Sequence, residues 1–479
     1  MNGLSEFFFP SSVAVIGVSA DTSAFGTLYL GALLKFGFKG KLYPVNRRGG
    51  SVLDLPVYSS LAGIPGDVDL AVISVPGRAV VGALEECLRK GIKTAIVLSA
   101  GFGETDIEGR KLEEELAKVV AKGIRVIGPN CHGVYCPRSG LTLVPGSNFP
   151  RESGPVALIS QSGGFAEMIV LQSRGIGIRY SKVVSYGNAL DVGESDLLEF
   201  LSEDEDTKIV MAYVEGVKDG RRFLEVVRRT SRVKPVLIWK AGLTDMGRRA
   251  AGSHTGSLAG SKFLWETFFA QSGAVEIGST DDLIDTAIAF LNLPASIGRR
   301  VALVTGSGGA GVIGSDACER LKLSMPTLSG EAQHRISSLL PSIGTSVRNP
   351  VDLATPRPRT SVLRGVLEAV AGSDEIDVII LGRMFLSAKG PELILGLTNR
   401  PEEHSDDLLE VPLAIRNQFG KPVVIVLSEE VTDREMIDFE RDRRSVRDYY
   451  LSHGIPVYPT LERAVSALAH VVRYRERFG

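Results

Sequence analysis

The sequence predicts an α/β protein built on parallel sheets, and three observations carry that prediction. Short β-branched runs alternate with stretches of helical period along the whole chain. Several of these runs, LAVISV at 70–75 among them, are apolar at every position, as a strand covered on both faces must be. The 53 glycines are scattered through short turns rather than gathered in repeats, which sets aside collagen-like and low-complexity readings.

In chain order, the first third predicts strands over 12–17, 41–45, 70–75, 94–98 and 125–128, with helices over 26–36, 79–90 and 108–122. That alternation makes residues 1–145 a doubly wound, Rossmann-like domain of ordinary size. The run 145–155 holds Pro, Gly, Ser and Asn without periodicity and reads as a connector. A second α/β domain over 146–293 follows, with strands at 156–160, 180–185, 208–214 and 236–240. After a connector at 292–300, a third domain over 294–479 opens at Val301 and has strands at 378–381, 423–427 and 455–459. Within it, residues 390–410 are expected to form an exposed insertion.

The second and third domains read as copies of one module. VALISQSGG at 156–164 and VALVTGSGG at 301–309 share V-A-L-x-x-x-S-G-G. Each is followed by an acidic patch leading into an apolar strand, 206–216 and 374–383, and then by a Lys-Pro-Val strand start, at Lys234 and at Lys421. Three landmarks in the same order argue for duplication.

Composition excludes several classes. Across 479 residues, 54 Lys and Arg against 56 Asp and Glu leave a formal net charge of −2, which gives nucleic acid or an anionic membrane nothing to attract. No apolar run is long enough to span a bilayer. Cys87, Cys131, Cys136 and Cys318 form neither a disulfide framework nor a C-x-x-C pair, so a reducing, cytoplasmic setting and no metal site are expected.

Two regions carry chemistry. Strand one ends in Gly17, where a phosphate-bearing ligand could approach backbone and the start of a helix. The G-x-G-x-x-G fingerprint is missing, and the second strand ends in Asn46-Arg47-Arg48 where an NAD enzyme would carry an acid. Arginine there suits an added phosphate, as on NADP or on the 3′-phosphate of coenzyme A; two solvated surface arginines are the alternative. The other region surrounds His254. Glycines at 247, 252, 256 and 260 and the hydroxyls of Ser253, Thr255 and Ser257 flank its imidazole, a composition suited to a phosphate-hugging loop and not to a packed helix. A neutral imidazole there can act as a nucleophile and carry a phosphoryl group. Glu215, at the end of its strand, could orient the ring. The turn Ser162-Gly163-Gly164 and its duplicate Ser307-Gly308-Gly309 could aim two helix N-termini at one phosphohistidine. A plain tight turn is the alternative for each.

In these residues the chain resembles the nucleoside-diphosphate-forming acyl-CoA synthetases, the superfamily of succinyl-CoA synthetase, and within it the α subunits of the ADP-forming acetyl-CoA type. The motifs VAVIGVSA, YPVNRR, AVISVP, SAGFGE, IGPNCHG, ISQSGG, VEGVKDG and GSHTGSLAG occur in the family's order over nearly the whole length. The resemblance implies a Rossmann-like CoA-binding domain followed by two flavodoxin-like domains. It implies that Gly17, Ser19, Arg48, Val75, Pro76, Ser99, Ala100, Gly101 and Asn130 line the CoA site, with Asn130 near the thioester. It further implies that His254 is phosphorylated with Glu215 as partner, and that Ser162 and Gly163 hold phosphate; the duplicate turn puts Gly308 and Gly309 forward as a second phosphate-holding helix start.

The implied reaction converts acyl-CoA, phosphate and ADP reversibly to acid, CoA and ATP through an acyl phosphate and the phosphohistidine. ADP or ATP and Mg2+ are expected on a separate ATP-grasp β subunit, in an α2β2 heterotetramer, because the chain shows no further domain to hold them. Arg48 departs from the family's usual Asn-Pro-Lys, and His132 stands where succinyl-CoA synthetase has Pro; His132 is either a local variation, the favoured reading, or a residue that touches the acyl group. The competing hypotheses are a CoA-binding regulatory or scaffold protein of the same fold, and an NADP oxidoreductase.

Overall fold

The computed structural model describes residues 3–143, 149–247, 249, 261–382, 407–428 and 437–479. The chain divides into two compact units, Met1–Leu283 and Ile284–Gly479.

The first unit contains two large sheets. The first holds β1 (Ser12–Ile16), β2 (Lys41–Val45), β5 (Leu70–Ile73), β6 (Thr94–Val97) and β7 (Arg125–Ile127), with the hairpin β3 (Ser51–Val52) and β4 (Leu55–Pro56) beside it. The five strands run parallel in the order β2-β1-β5-β6-β7. Every residue of β1, β5 and β6 is buried, so the unbroken apolar runs do mark strands packed on both faces. The helices α1 (Phe25–Phe36), α2 (Gly77–Lys90) and α3 (Ile107–Val120) connect them. Glycines in left-handed conformation, Gly37 and Gly91, end α1 and α2. The Asp106 side chain caps α3 by accepting from the Gly109 amide at 2.9 Å.

The second sheet holds β8 (Gly133–Tyr135), β9 (Val156–Ser160), β10 (Tyr180–Ser185), β11 (Ile209–Val214), β12 (Val236–Lys240) and β13 (Val275–Glu276), in the order β13-β12-β11-β9-β10-β8. Its helices include α4 (Gly163–Arg174), α5 (Glu194–Glu203) and α6 (Gly220–Thr230). All four strands expected between 156 and 240 are present. The edge strands β8 and β13 are additions, too short for periodicity to reveal, and β8 runs antiparallel to β10. One apolar core runs from Leu4, Phe7 and Phe8 through Tyr29 and Ile159 to Trp265 and Phe269, so the two sheets are packed as one body.

The second unit carries β14 (Val301–Thr305), β15 (Val351–Asp352), β16 (Val378–Gly382), β17 (Val423–Val426) and β18 (Val457–Tyr458), all parallel in the order β15-β14-β16-β17-β18. Of the insertion expected over 390–410, residues 390–406 lie outside the described residues. The rest opens the helix Asp407–Phe419, and Leu408 is buried there rather than exposed, because an apolar helical face outweighs the acidic composition around it.

With the antiparallel edge strand β8 set aside, all three sheets follow the same path, with the second strand, then the first, third, fourth and fifth. The duplication extends to individual hydrogen bonds. The Val210 amide donates to Pro235 O at 2.9 Å, and the Ile379 amide to Pro422 O at 3.0 Å. Lys234 Nζ donates to Leu201 O at 2.8 Å, and Lys421 Nζ to Ser373 O. In sheets of this order ligands gather at the carboxyl ends of the strands, where the chain path reverses. Among the described residues no helix is long and apolar enough to cross a membrane.

Candidate active site

The residues expected to hold CoA lie along the carboxyl edge of the first sheet. Gly17 ends β1 with φ +102°, and a Cβ there would come within 2.1 Å of Ser74 O, so only glycine lets β1 and β5 close at this point. Gly26, in the first turn of α1, presses equally close to Gly17 O, with a would-be Cβ at 2.6 Å. These two glycines provide the close strand and helix approach of a dinucleotide fold without its spacing, because the loop 18–24 intervenes. Ser19 and Thr27 fix that loop: the Ser19 amide donates to Thr27 Oγ1 and Thr27 Oγ1 to Ser19 O, both at 2.8 Å. Asn46 ties the end of β2 to the loop by donating from Nδ2 to Val18 O, and its Oδ1 accepts from the Arg48 amide at 3.0 Å. Arg47 and Arg48 are both exposed. Ser99 Oγ donates to Val75 O at 2.6 Å, and the Asn130 amide donates to Ser99 O at 2.9 Å. Pro76 caps α2, and Ala100 O lies 3.2 Å from where a Gly77 Cβ would sit. Ser19, Arg48, Val75, Pro76, Ser99, Ala100, Gly101 and Asn130 therefore share one edge with Gly17.

The second sheet presents its own carboxyl edge. β9 runs into Gln161 and Ser162, and Ser162 Oγ accepts from the Phe165 amide at 3.3 Å, capping α4. Gln161 Oε1 accepts from the amides of Glu215 and Gly216 at 2.8 and 3.0 Å, which joins the start of α4 to the end of β11. Glu215 is 5% exposed. Burial, together with the charge and hydrogen bond of Glu215, pushes the Tyr213 phenol up to about 12. Lys240, at the end of β12, is buried over the Trp265 ring at 5.2 Å and donates from Nζ to Glu215 O at 2.8 Å. Burial pushes its ammonium down to about 8, against the pull of Glu215. Lys240 and Trp265 stand on either side of the glycine-rich stretch in the sequence and are in contact with each other. His254 itself lies outside the described residues.

The segment 128–132 joins the two edges. Asn130, in left-handed conformation at φ +58°, faces the carboxyl edge of the first sheet, while two residues later the His132 amide donates to Ser185 Oγ at 3.0 Å, at the end of β10. The His132 ring lies against Gly163: a Cβ on that glycine would be 2.3 Å from His132 Cγ. The tight turn at Ser162-Gly163-Gly164 is thus more than a turn, since Gly163 makes room for an imidazole at the start of α4. Burial lowers the His132 pKa. His132 thus has a defined place between the two edges. Sequence reasoning also missed Asn46, Gly26 and Asn188; a Gly-Asn pair one residue beyond the buried strand β10 was the signal for the last of these.

In the second unit, Gly308 and Gly309 open the helix Gly308–Arg320 after β14, as expected for the duplicate of α4. Here the neighbour is a carboxylate: Asp352 Oδ2 would be 3.1 Å from a Gly308 Cβ. Among the described residues no cluster of His, Cys, Asp and Glu could hold a metal ion.

Comparison with known proteins finds a match for each of the first two sheets. Residues 11–137 match the CoA binding domain model, and residues 153–290 match the succinyl-CoA ligase like flavodoxin domain. The chain is 37% identical to the acetate–CoA ligase (ADP-forming) I subunit alpha of Pyrococcus furiosus, over 98% of this chain and 97% of that one. It is 31% identical to the 4-hydroxybutyrate–CoA ligase (ADP-forming) of Nitrosopumilus maritimus, covering 98% of this chain and 64% of that longer protein. Among solved structures, acetyl-coenzyme A synthetase 1 of Ca. Korarchaeum cryptofilum in complex with phosphate and ADP superposes with a TM-score of 0.84 at 31% identity, over 100% of this chain and 98% of that one. Identity at this level over whole chains, on a fold whose strand ends gather the expected motifs, means that the chain belongs to the ADP-forming acyl-CoA synthetase family, as one of its α-subunit-type ligases.

Proposed function

We propose that this chain is the catalytic α subunit of an ADP-forming acyl-CoA synthetase acting on a small carboxylic acid, and that it makes acyl phosphate from acyl-CoA at the junction of its first two sheets. The observation that carries the reading is the path of residues 128–132, which leads from Asn130 on the CoA edge to His132 against the start of α4. A thioester beside Asn130 and a phosphate at α4 are then neighbours. In our reading residues 1–145 bind CoA, 146–293 carry the phosphohistidine, and 294–479 form the second flavodoxin-like domain.

In the first step an oxygen of hydrogenphosphate attacks the thioester carbonyl. The C–S bond breaks, and the phosphate's proton ends on the CoA thiol, leaving acyl phosphate. The unpaired N–H groups opening α4, with Ser162 and Gly163, stabilise the phosphate charge. The imidazole of His254 then takes the phosphoryl group as the carboxylate leaves, with Glu215 orienting the ring. We assign the anion to α4 and not to Gly308–Gly309, because the Asp352 carboxylate beside Gly308 repels phosphate. ADP and Mg2+ are met on a separate ATP-grasp β subunit, in an α2β2 assembly in the cytoplasm. Acetate and 4-hydroxybutyrate are the acids for which the two compared relatives are named, and they set the size class proposed here.

The test is intact-mass analysis of the purified chain after mixing with acetyl-CoA and phosphate, alone and with its ATP-grasp partner. An acid-labile phosphoryl adduct is expected. If none forms in either mixture, and none with ATP and the partner, the chain is a CoA-binding scaffold. The CoA edge has its own test: Arg48→Ala should weaken CoA binding by ~5–10-fold and leave dephospho-CoA nearly unchanged, as loss of one charge-assisted phosphate contact predicts. Equal losses for both ligands would remove Arg48 from the site.

A further inference from the structure

Asn188 follows β10 on the second sheet, yet its side chain is used by the first. It is 9% exposed. Its two Nδ2 hydrogens go to two carboxylates, Glu104 Oε2 at 2.6 Å and Glu113 Oε2 at 2.8 Å. Its Oδ1 accepts from Asn130 Nδ2 at 3.3 Å. The amide orientation is therefore determined by its partners, since two carboxylates demand the donor end. Each carboxylate in turn holds the loop after β6. Glu104 Oε1 accepts from the amides of Gly101 and Phe102 at 2.6 and 3.1 Å, and Glu113 Oε2 accepts from the Gly103 amide at 3.0 Å. Burial works to raise the Glu104 carboxyl, but the hydrogen bonds from Asn188 and the loop amides outweigh it and hold its pKa below the usual carboxylate value.

The backbone of the same turn grips the other side of the cleft. The Asn188 amide donates to Pro129 O and the Leu190 amide to Gly128 O, both at 3.0 Å. Gly187, at φ +57°, lies so close that a Cβ would be 2.2 Å from Pro129 O. The turn 187–190 thus holds the backbone of 128–130 and, through one amide side chain, the loop 101–103 and the Asn130 side chain together.

We propose that Asn188 is a positioning residue for the thioester end of CoA: it sets Asn130 and the loop 101–103 relative to each other, and ties both to the end of the second sheet that carries the phosphate site. This rests on the reading of the 99–101 and 130 segments as the CoA cleft. Two acidic side chains converge on one neutral donor, so the arrangement works only while that donor is an amide. A carboxylate in its place puts three negative groups together and drives the loop from Asn130.

The test is CoA binding to the full chain by calorimetry from pH 5.5 to 8.5, with melting temperatures measured alongside. Asn188→Asp is expected to weaken CoA ~10-fold or more at pH 8, with the loss shrinking toward pH 5.5 as the carboxyl cluster takes up a proton. Glu104→Gln in the Asn188→Asp background restores a donor facing an acceptor while its Oε1 still serves the loop amides. That double variant should recover at least ~3-fold of the lost CoA binding and show a weaker pH dependence, part of which stays because the new carboxylate still faces Glu113. Wild-type affinity of Asn188→Asp at every pH would overturn the proposal. So would a double variant no better than the worse single one, because a purely structural defect has no reason to be rescued by a second substitution. If Arg48→Ala and Asn130→Ala leave CoA binding untouched as well, the cleft reading itself fails; if they weaken it while Asn188→Asp does not, only the positioning role fails.

Discussion

Replacing His254 by alanine is expected to end phosphoryl transfer, with overall turnover falling by ~10^4-fold or more, the scale seen when a covalent nucleophile is removed. CoA binding should stay within ~2-fold of wild type, since every proposed CoA contact lies on the first sheet. The phosphoryl adduct should vanish with the imidazole, while acetyl phosphate is still formed slowly from acetyl-CoA and phosphate, because that step needs only the CoA edge and α4. The measurement is steady-state turnover with the partner subunit, run beside intact mass and detection of acyl phosphate as its hydroxamate. Full turnover, or an adduct that survives the substitution, would place the covalent group elsewhere. A simultaneous loss of acyl phosphate would show that both steps depend on His254.

The second large effect is expected at Gly163. A methyl group there would sit 2.3 Å from His132 Cγ and 2.7 Å from His132 Nδ1, well inside contact distance. In Gly163→Ala, either the imidazole leaves or the start of α4 moves, and overpacking of this kind costs ~1–3 kcal/mol. KM for phosphate should rise ~10-fold or more, with KM for CoA nearly unchanged, because displaced N–H groups at α4 weaken the anion site and not the CoA edge. His132→Ala in the same background removes the obstacle and should return most of the lost stability, which thermal melts of the two single variants and the double variant will show. Additive losses would mean that the two residues do not touch.

Both effects depend on residues whose types were readable but whose neighbours were not. Gly163 reads as a turn glycine from its place after an apolar strand; that its open side is filled by His132 could not be read, because the imidazole arrives from the segment before β8, two strands away from β9 in the sheet. Gly17 was legible as the end of β1, whereas Gly26 was not, since nothing in a helical period marks the residue that must approach a strand end. The short strands β8, β13 and β15 escaped notice because two or three residues contain no period. Leu408 corrected the opposite error, an acidic stretch whose apolar face is packed.

By itself, the sequence determined the α/β class and the repeat of one module, and it marked the glycine-rich turns and the surroundings of His254 as the places where we propose phosphate chemistry. These are local properties: strand runs, helical periods and turn chemistry are written within a few residues of each other. Only the tertiary structure decided that Asn188 clamps Glu104, Glu113 and Asn130, partners 84, 75 and 58 residues away, and that His132 meets Gly163. Such meetings follow from the order in which parallel strands are laid side by side, which brings their carboxyl ends to one edge however far apart they lie along the chain.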